Sequence, residues 1–137
     1  MLAVEDNPAD AELLKSVFAE VDPGCRITVV GDGEAAVAYL LSHAASMDHR
    51  PDLILLDLNL PRMNGHEVLR FIKADLIMQT IPVIVLTSST VPDDVTSAYC
   101  SRVNSYLRKP NNFKEMFKMV RALQRFWLHL VVLPSVR

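Results

Sequence analysis

The chain has 137 residues, of which 50% are hydrophobic and 22% are charged, and its formal net charge is -2. This composition fits one soluble globular domain with a single sizeable core, and it excludes a disordered or fibrous chain. Lys and Arg residues are scattered rather than clustered, so the sequence predicts no nucleic-acid partner.

The sequence also predicts no membrane association. Residues 126–133 form the longest apolar stretch, but His129 interrupts it and it is far too short to span a bilayer. Cys25 and Cys100 have neither CxxC nor zinc-finger spacing, which favours small, buried, reduced thiols. Because no secretory signal is visible either, we expect a cytoplasmic protein.

Five short apolar runs are predicted to be strands. In chain order they are residues 2–4, 27–30, 53–56, 83–86 and 105–107. Runs that are apolar throughout, rather than alternating, are typical of parallel strands covered on both faces.

Five helices are predicted between and after these strands, each from a start signal. They cover about residues 8–21, 33–44, 65–74, 93–102 and 113–123, and the start signals are Asn7 with Pro8, Asp32, Asn64, Pro92 and Asn112. This alternation predicts right-handed βαβ units. The fold class is therefore α/β, a single domain over residues 1–137 with a doubly wound parallel sheet.

Charged and hydroxyl side chains follow four of the strands at the point where each one ends. Glu5 and Asp6 follow the first strand, Asp57 the third, Thr87 the fourth and Lys109 the fifth. In an open α/β sheet, sites form beyond the carboxyl ends of the strands, so we expect these side chains to meet at one edge. Three carboxylates at close range attract a divalent cation, and oxygen-only ligands suit Mg²⁺.

The same residues suit phosphoryl transfer. The carboxylate of Asp57 can attack a phosphorus centre and form an acyl phosphate. Lys109 and the metal ion would neutralise charge on the phosphoryl oxygens, and the hydroxyl of Thr87 would donate a hydrogen bond to one of them. Each residue alone has an ordinary explanation, such as a helix cap, a helix N-terminal charge or a solvated side chain. Their joint presence at four strand ends is hard to explain by chance.

Four segments resemble the receiver domains of two-component response regulators. They are VEDNPAD at residues 4–10, LDLNLP at 56–61 with Asn64 and Gly65, LTSS at 86–89 and YLRKP at 106–110. The resemblance covers essentially the whole chain. It implies a five-stranded, flavodoxin-like parallel sheet in the order 2-1-3-4-5, flanked by five helices. It also implies a sensor histidine kinase as the partner that donates the phosphoryl group.

The resemblance assigns roles within the predicted site. Asp57 would be the phosphoacceptor, Asp6 would bind Mg²⁺ directly and Glu5 would bind it through water. The backbone carbonyl of Asn59 would be a further metal ligand.

A conformational switch is implied in the same way. Thr87 would be the switch hydroxyl, and Tyr106 the aromatic residue whose ring moves inward when Thr87 shifts. Lys109 would contact the phosphate, and the Lys109–Pro110 peptide bond would be cis, an isomer that costs little only before proline.

Residues 126–137 form a C-terminal apolar extension. Together with residues 104–107, this extension resembles the small regulators paired with bacterial phytochrome histidine kinases, which implies a bacteriophytochrome as the kinase. Its side chains either complete the core or add apolar surface for a partner. We expect a homodimer through the fourth and fifth helices, the fifth strand and the extension, with an interface that includes Phe126, Trp127, Leu130, Val131 and Leu133.

Two functions of other classes remain as alternatives to a non-enzymatic phosphoacceptor domain. An aspartyl-phosphate hydrolase of the haloacid-dehalogenase type would have a second Asp two residues after the nucleophile, where this chain has Asn59. A phosphorylation-independent interaction module on the same fold would have no need of the complete acidic and basic set.

Overall fold

The computed structural model describes residues 1–135 and has a five-stranded parallel sheet at its centre. The strands are β1 (Leu2–Val4), β2 (Thr28–Val30), β3 (Ile54–Leu56), β4 (Val83–Thr87) and β5 (Ser105–Arg108). Their order is β2-β1-β3-β4-β5, and every neighbouring pair is parallel. The predicted sheet is confirmed, and each strand end differs from its predicted position by one residue at most.

Within residues 1–135, five α-helices connect and follow the strands: α1 (Pro8–Val21), α2 (Gly33–His43), α3 (Gly65–Ala74), α4 (Pro92–Cys100) and α5 (Phe113–Leu123). The starts of four are capped by side chains that accept backbone N–H groups of the first turn, namely Asn7, Asp32, Asn64 and Asn112. A 3₁₀ turn, Met78–Thr80, precedes β4, and a π-helical segment, Gln124–Leu130, continues α5. No helix in this range combines the length and apolar character that a bilayer crossing requires.

Helices cover both faces of the sheet, which explains why its central strands are apolar throughout. One face packs against α1 and α5 through residues such as Phe18 and Val120. The other packs against α2, α3 and α4 through Leu40, Leu69 and Ala98. The three central strands β1, β3 and β4 are buried along their whole length. Polar groups can therefore gather only beyond the strand ends.

The first strand is only three residues long, yet it is paired on both sides. All of its residues are in register with β2 and with β3. The pairing continues past its end, because the N–H of Glu5 donates to the carbonyl of Val30 at 3.0 Å and the N–H of Asp57 donates to the carbonyl of Val4 at 3.0 Å. Backbone hydrogen bonds thus fix the position of Glu5 beside Asp57.

Three local expectations are wrong. Thr28 of β2 is exposed rather than covered, because β2 is an edge strand. Neither cysteine is fully buried: Cys100, which ends α4, is exposed, and Cys25 is half-buried. Residues 1–135 contain no cis peptide bond, so the Lys109–Pro110 bond is trans. The trans isomer is the more stable one before proline, by about 0.5–1 kcal/mol.

Candidate functional site

The polar groups at the strand ends meet in one cleft at the carboxyl edge of the sheet. Glu5 and Asp6 follow β1, and Asp57 follows the neighbouring strand β3. Each of the three offers one carboxylate oxygen, and these atoms lie within 4.8 Å of one another. Glu5 and Asp57 are buried, whereas Asp6 is exposed. The structure therefore brings together the carboxylates that the sequence places at two separate strand ends.

Lys109 binds three carboxylates at once. Its Nζ lies 2.6 Å from Glu5 Oε2, 2.8 Å from Asp57 Oδ2 and 2.9 Å from Asp10 Oδ2. The number of contacts matches the three N–H donors of a protonated lysine, and those to Asp57 and Asp10 are hydrogen bonds. The backbone N–H of Lys109 donates to the carbonyl of Thr87 at 2.8 Å, which continues the β4–β5 pairing and directs the side chain toward the cleft.

Thr87 fixes the other side of the Asp57 carboxylate. It ends β4 and is fully buried, and its hydroxyl donates to Asp57 Oδ1 at 2.8 Å. The backbone N–H of Asn59 donates to the same oxygen at 3.1 Å. With Lys109 at Oδ2, both oxygens of Asp57 accept hydrogen bonds, and the carboxylate is held in one orientation.

A cleft of about 410 Å³ opens beside Asp57. Its walls include Asp6, Asn59, Ser88 and Lys109. Since a water molecule occupies about 30 Å³, this volume is enough for a hydrated cation and a phosphoryl group together.

The environment of the cleft changes the acidity of two groups. Burial raises the pKa of Glu5 to about 7, against the opposing effect of the hydrogen bond from Lys109. The like charge of Asp57 adds to this rise. Burial lowers the pKa of Lys109, but the hydrogen bonds to its three carboxylate partners outweigh burial, and the pKa lies above its ordinary value. Lys109 therefore remains charged at neutral pH, where Glu5 is shared between its protonated and ionised forms.

The donor set of the cleft fits a divalent cation. The cleft contains one ammonium group, Lys109, and four carboxylates, so up to three negative charges are not balanced: the four are Glu5, Asp6, Asp10 and Asp57. Carboxylate and carbonyl oxygens are the ligands that hard cations such as Mg²⁺ and Mn²⁺ prefer. Both the charge and the ligand chemistry therefore suit one such ion.

The sequence does not predict the participation of Asp10. This residue lies in the first turn of α1, which begins at Pro8, close to the end of β1. A helix that starts so soon after a strand places its first turn beside the same sheet edge, so an acidic residue there is close to any site that forms at that edge. That short connection is the signal in the sequence that identifies Asp10.

A hydrogen-bond network beside Thr87 links α3, α4 and β5. His66 Nε2 lies 3.1 Å from Asp94 Oδ1, and the hydroxyl of Ser89 donates to the other oxygen of Asp94. Hydrogen bonds from Ser89 and His66 hold the pKa of Asp94 below its ordinary value. The hydroxyl of Tyr106 donates to the carbonyl of Ser89 at 3.3 Å. The half-buried Tyr106 is thus tied to the loop that follows Thr87.

The extension after α5 contains both buried and exposed apolar side chains. Trp127 packs against the core formed by α1 and α5, and Val131 and Leu133 are half-buried. Phe126 is 52% exposed and Leu130 is 66% exposed. The extension therefore contributes to the core at Trp127 and presents apolar surface at Phe126 and Leu130. Its last two positions, 136 and 137, lie outside the described residues.

Comparison with known proteins places the chain among response regulators. The family model described as the response regulator receiver domain matches residues 1–121. Response regulator Rcp1 of Synechocystis is 43% identical over 98% of this chain and 92% of its own length. The phosphorylated cyanobacterial phytochrome response regulator RcpA is 41% identical, with a TM-score of 0.90 over 98% of this chain and 96% of its own. The Mn²⁺-bound form of Rcp1 gives a TM-score of 0.84 at 43% identity over 98% and 97% of the two chains.

Proposed function

Because the chain belongs to the family of response regulator receiver domains, we propose that it accepts a phosphoryl group on Asp57 from the phosphohistidine of a sensor histidine kinase. The observation that carries this proposal is the environment of Asp57. Its buried carboxylate lies 2.8 Å from Lys109 and has oxygens of Glu5 and Asp6 within 4.8 Å. A fixed nucleophilic carboxylate beside an ammonium group and a cation site is what phosphoryl transfer requires.

In the proposed reaction, a carboxylate oxygen of Asp57 attacks the phosphorus atom of the donor. A P–O bond forms, the P–N bond of phosphohistidine breaks, and the electron pair of that bond returns to the imidazole nitrogen. The negative charge of the carboxylate is thereby replaced by charge on the phosphoryl oxygens. Lys109 already lies beside Asp57 Oδ2 and can pair with this charge, while the hydroxyl of Thr87 can turn from Asp57 Oδ1 to a phosphoryl oxygen.

Mg²⁺ is the cation that we propose for the cleft, held by Glu5, Asp6, Asp57 and the backbone carbonyl of Asn59. All of these residues line the same cleft. When bound, the ion would neutralise charge on the phosphoryl oxygens. The Mn²⁺ in the structure of Rcp1 supports this proposal, because Mn²⁺ and Mg²⁺ share the preference for oxygen ligands.

Mg²⁺ is expected to stabilise the fold. At about one hundred times its dissociation constant, it adds about 2.7 kcal/mol to the free energy of unfolding, which raises the thermal midpoint by several degrees.

The pKa of Glu5 is raised from 4.5 to about 7, so without the cation its neutral form is favoured in the fold. The stability that protonation of Glu5 contributes to the fold is complete below pH 4.5 and is lost as the pH rises through about 7. Protons compete with Mg²⁺ in the same range, so the rise in midpoint should be larger at about pH 8 than at about pH 6.

Differential scanning calorimetry across Mg²⁺ concentration and pH measures this effect. The variant Asp6→Asn should lose the Mg²⁺-dependent rise, because Asp6 is exposed and its replacement leaves the fold intact while removing a ligand. The matched control is Asp48→Asn, an exposed acid that lines a separate pocket with Met1. The proposed ligands would be contradicted if Mg²⁺ raised the thermal midpoint of both variants equally. They would also be contradicted if Mg²⁺ raised the wild-type midpoint more at the lower pH.

The Thr87 and Tyr106 side chains are proposed to act as the conformational switch. Ser89 lies two residues after Thr87, and its carbonyl accepts the hydrogen bond from the Tyr106 hydroxyl. If Thr87 moves toward a phosphoryl oxygen, the loop that contains Ser89 moves with it, and the hydroxyl of Tyr106 loses its hydrogen bond to the carbonyl of Ser89. The phosphoryl group shifts the population toward the active arrangement because its contacts with Lys109 and Thr87 are available only there.

A phytochrome-type histidine kinase is the proposed donor of the phosphoryl group. The support is the likeness to RcpA, a phytochrome response regulator, which covers 98% of this chain. A match of this extent includes the C-terminal extension as well as the cleft, whereas the family model ends at residue 121.

A homodimer through α4, β5, α5 and the extension is also proposed. The strand β5 lies at an edge of the sheet, and α4 and α5 cover its two faces. Exposed apolar side chains occur on these elements, including Tyr99 on α4, Phe126 and Leu130. Trp127, Val131 and Leu133 of the extension are half-buried, and Leu133 also lines a pocket with Thr28 of β2, at the opposite edge of the sheet. The support for the proposed interface is therefore the exposed apolar side chains, which are typical of subunit contacts.

Substitution of Leu130 by arginine is expected to weaken dimerisation about tenfold or more, because a charged side chain would be buried in an apolar contact. The matched control is Leu41→Arg, since Leu41 on α2 is 65% exposed and Leu130 is 66% exposed. Sedimentation velocity at tens of micromolar measures both. A wild-type protein that sediments as a monomer, or equal behaviour of the two variants, would count against this interface.

Incubation with acetyl phosphate and Mg²⁺ distinguishes the proposed function from the two alternatives. Intact-mass spectrometry should detect a single phosphoryl group per chain, and none when EDTA removes the cation. Continuous release of phosphate would instead indicate a hydrolase, although Asn59 occupies the position of the acid that such an enzyme needs. No phosphorylation under any condition would indicate an interaction module.

A further inference from the structure

Three carboxylates contact the Lys109 ammonium group, and two of them, Asp10 and Asp57, accept hydrogen bonds from it. Its partners Glu5, Asp10 and Asp57 lie between 2.6 and 2.9 Å from Nζ, and its side chain is only 9% exposed. A phosphoryl oxygen that binds Lys109 therefore competes with these carboxylates for the ammonium group. Which partner is replaced, and which one stays, determines how strongly the ammonium group holds the phosphoryl group.

Asp10 differs from the other two partners in position. Glu5 and Asp57 are held by the sheet, and their side chains are 3% and 5% exposed. Asp10 projects from the first turn of α1, and its side chain is 35% exposed. It is also outside the trio of carboxylates whose oxygens lie within 4.8 Å of one another. A cation in the cleft would therefore engage Glu5 and Asp57, and Asp10 would keep Lys109 as its ionic partner among residues 1–135.

From this arrangement we infer that Asp10 is a positioning residue that competes with the phosphoryl group for Lys109 and so weakens its binding. The inference rests on the proposed phosphoacceptor function of Asp57 and extends it to a carboxylate outside the predicted set. When Asp57 becomes an acyl phosphate, it loses its charge and releases Lys109 to the phosphoryl oxygens. Asp10 keeps its charge, continues to hold part of the ammonium group and repels the incoming dianion.

Removal of this charge should tighten the binding of a phosphoryl mimic. The probe is beryllofluoride, which forms a tetrahedral complex on a carboxylate, titrated by calorimetry in saturating Mg²⁺. Asp10→Asn keeps the size of the side chain and an oxygen that can accept from Lys109, and Glu5 still positions the ammonium group. We expect a dissociation constant about five- to tenfold lower, a modest change because Asp10 is partly exposed and screened by solvent.

The matched control is Glu12→Gln, which removes the same charge from an exposed position on the same helix, where Glu12 pairs with Lys15. It should leave beryllofluoride affinity unchanged. A second titration, with Mg²⁺ alone, excludes a merely structural effect: Asp10→Asn should bind the cation equally or more weakly, whereas a damaged site would bind both ions more weakly.

Two results would overturn the inference: beryllofluoride affinity that is unchanged or reduced in Asp10→Asn, or an equal gain in Glu12→Gln. Failure of the wild-type protein to bind beryllofluoride would instead contradict the proposed function itself, so the two failures are distinguishable.

Discussion

Replacement of Asp57 by asparagine is expected to slow phosphorylation by about 10³-fold or more, within the range seen when a nucleophile is removed. The amide has the same shape as the carboxylate but carries no charge, and its nitrogen is a poor nucleophile toward phosphorus. The side-chain oxygen can still accept from Thr87 and from the N–H of Asn59, so the fold should be retained. Phosphorylated and free forms after incubation with acetyl phosphate and Mg²⁺ can be counted by intact-mass spectrometry.

The control for this variant is Asp52→Asn. Asp52 is an exposed acid at the opposite end of the same strand, two residues before β3 begins, and its replacement should leave the rate unchanged. Circular dichroism establishes that both variants are folded. Phosphorylation of folded Asp57→Asn at the wild-type rate would show that another residue is the acceptor.

Substitution of Gly65 by alanine is expected to destabilise the fold by about 2–3 kcal/mol. Gly65 opens α3 and packs directly on the backbone that carries the acceptor: an added Cβ would lie 2.2 Å from the carbonyl oxygen of Asp57 and 2.5 Å from Cα of Leu58. Both contacts are with backbone atoms, so no side-chain rotation can relieve them. Because the clash displaces Asp57 itself, the folded variant should also be phosphorylated more slowly, by about 10²-fold for a shift of about 1 Å.

Urea denaturation followed by circular dichroism gives the loss of stability, and Gly31→Ala is the control. Gly31 is exposed, and an added Cβ there would have no atom within 4 Å, so its free energy of unfolding should change by less than about 0.5 kcal/mol. If Gly65→Ala were as stable as Gly31→Ala, the close packing of α3 on Asp57 would be incorrect.

The fold is predictable from sequence because local signals and topology agree. Asn7, Asp32, Asn64 and Asn112 have the residue types that cap helices, and each caps one. The burial of residues in edge strands and at helix ends is less predictable. Thr28 and Cys100 are exposed because of the edge position of β2 and the orientation of the end of α4. Neither property is encoded in the few residues around them.

The candidate site is predictable to the extent that strand topology determines it. Parallel strands bring their carboxyl ends to one edge, and β1 and β3 are neighbours, so Glu5 and Asp57 are adjacent as soon as the strand order is known. Lys109 follows β5, beyond β4, and reaches Asp57 through its long side chain. Asp10 is not found in this way, because it comes from a helix and its contact with Lys109 depends on the reach of two side chains. The isomer of the Lys109–Pro110 bond is not determined by the strand order either, and it is trans rather than the cis form that the resemblance implies.

Trapping the acyl phosphate tests the central claim most directly. Borohydride reduces an acyl phosphate to an alcohol, so treatment after phosphorylation marks the acceptor, and peptide mass spectrometry locates it. We predict a single reduced residue at Asp57, formed only when Mg²⁺ is present. A mark on another carboxylate of the cleft, such as Asp6 or Asp10, or labelling that persists in EDTA, would contradict the account.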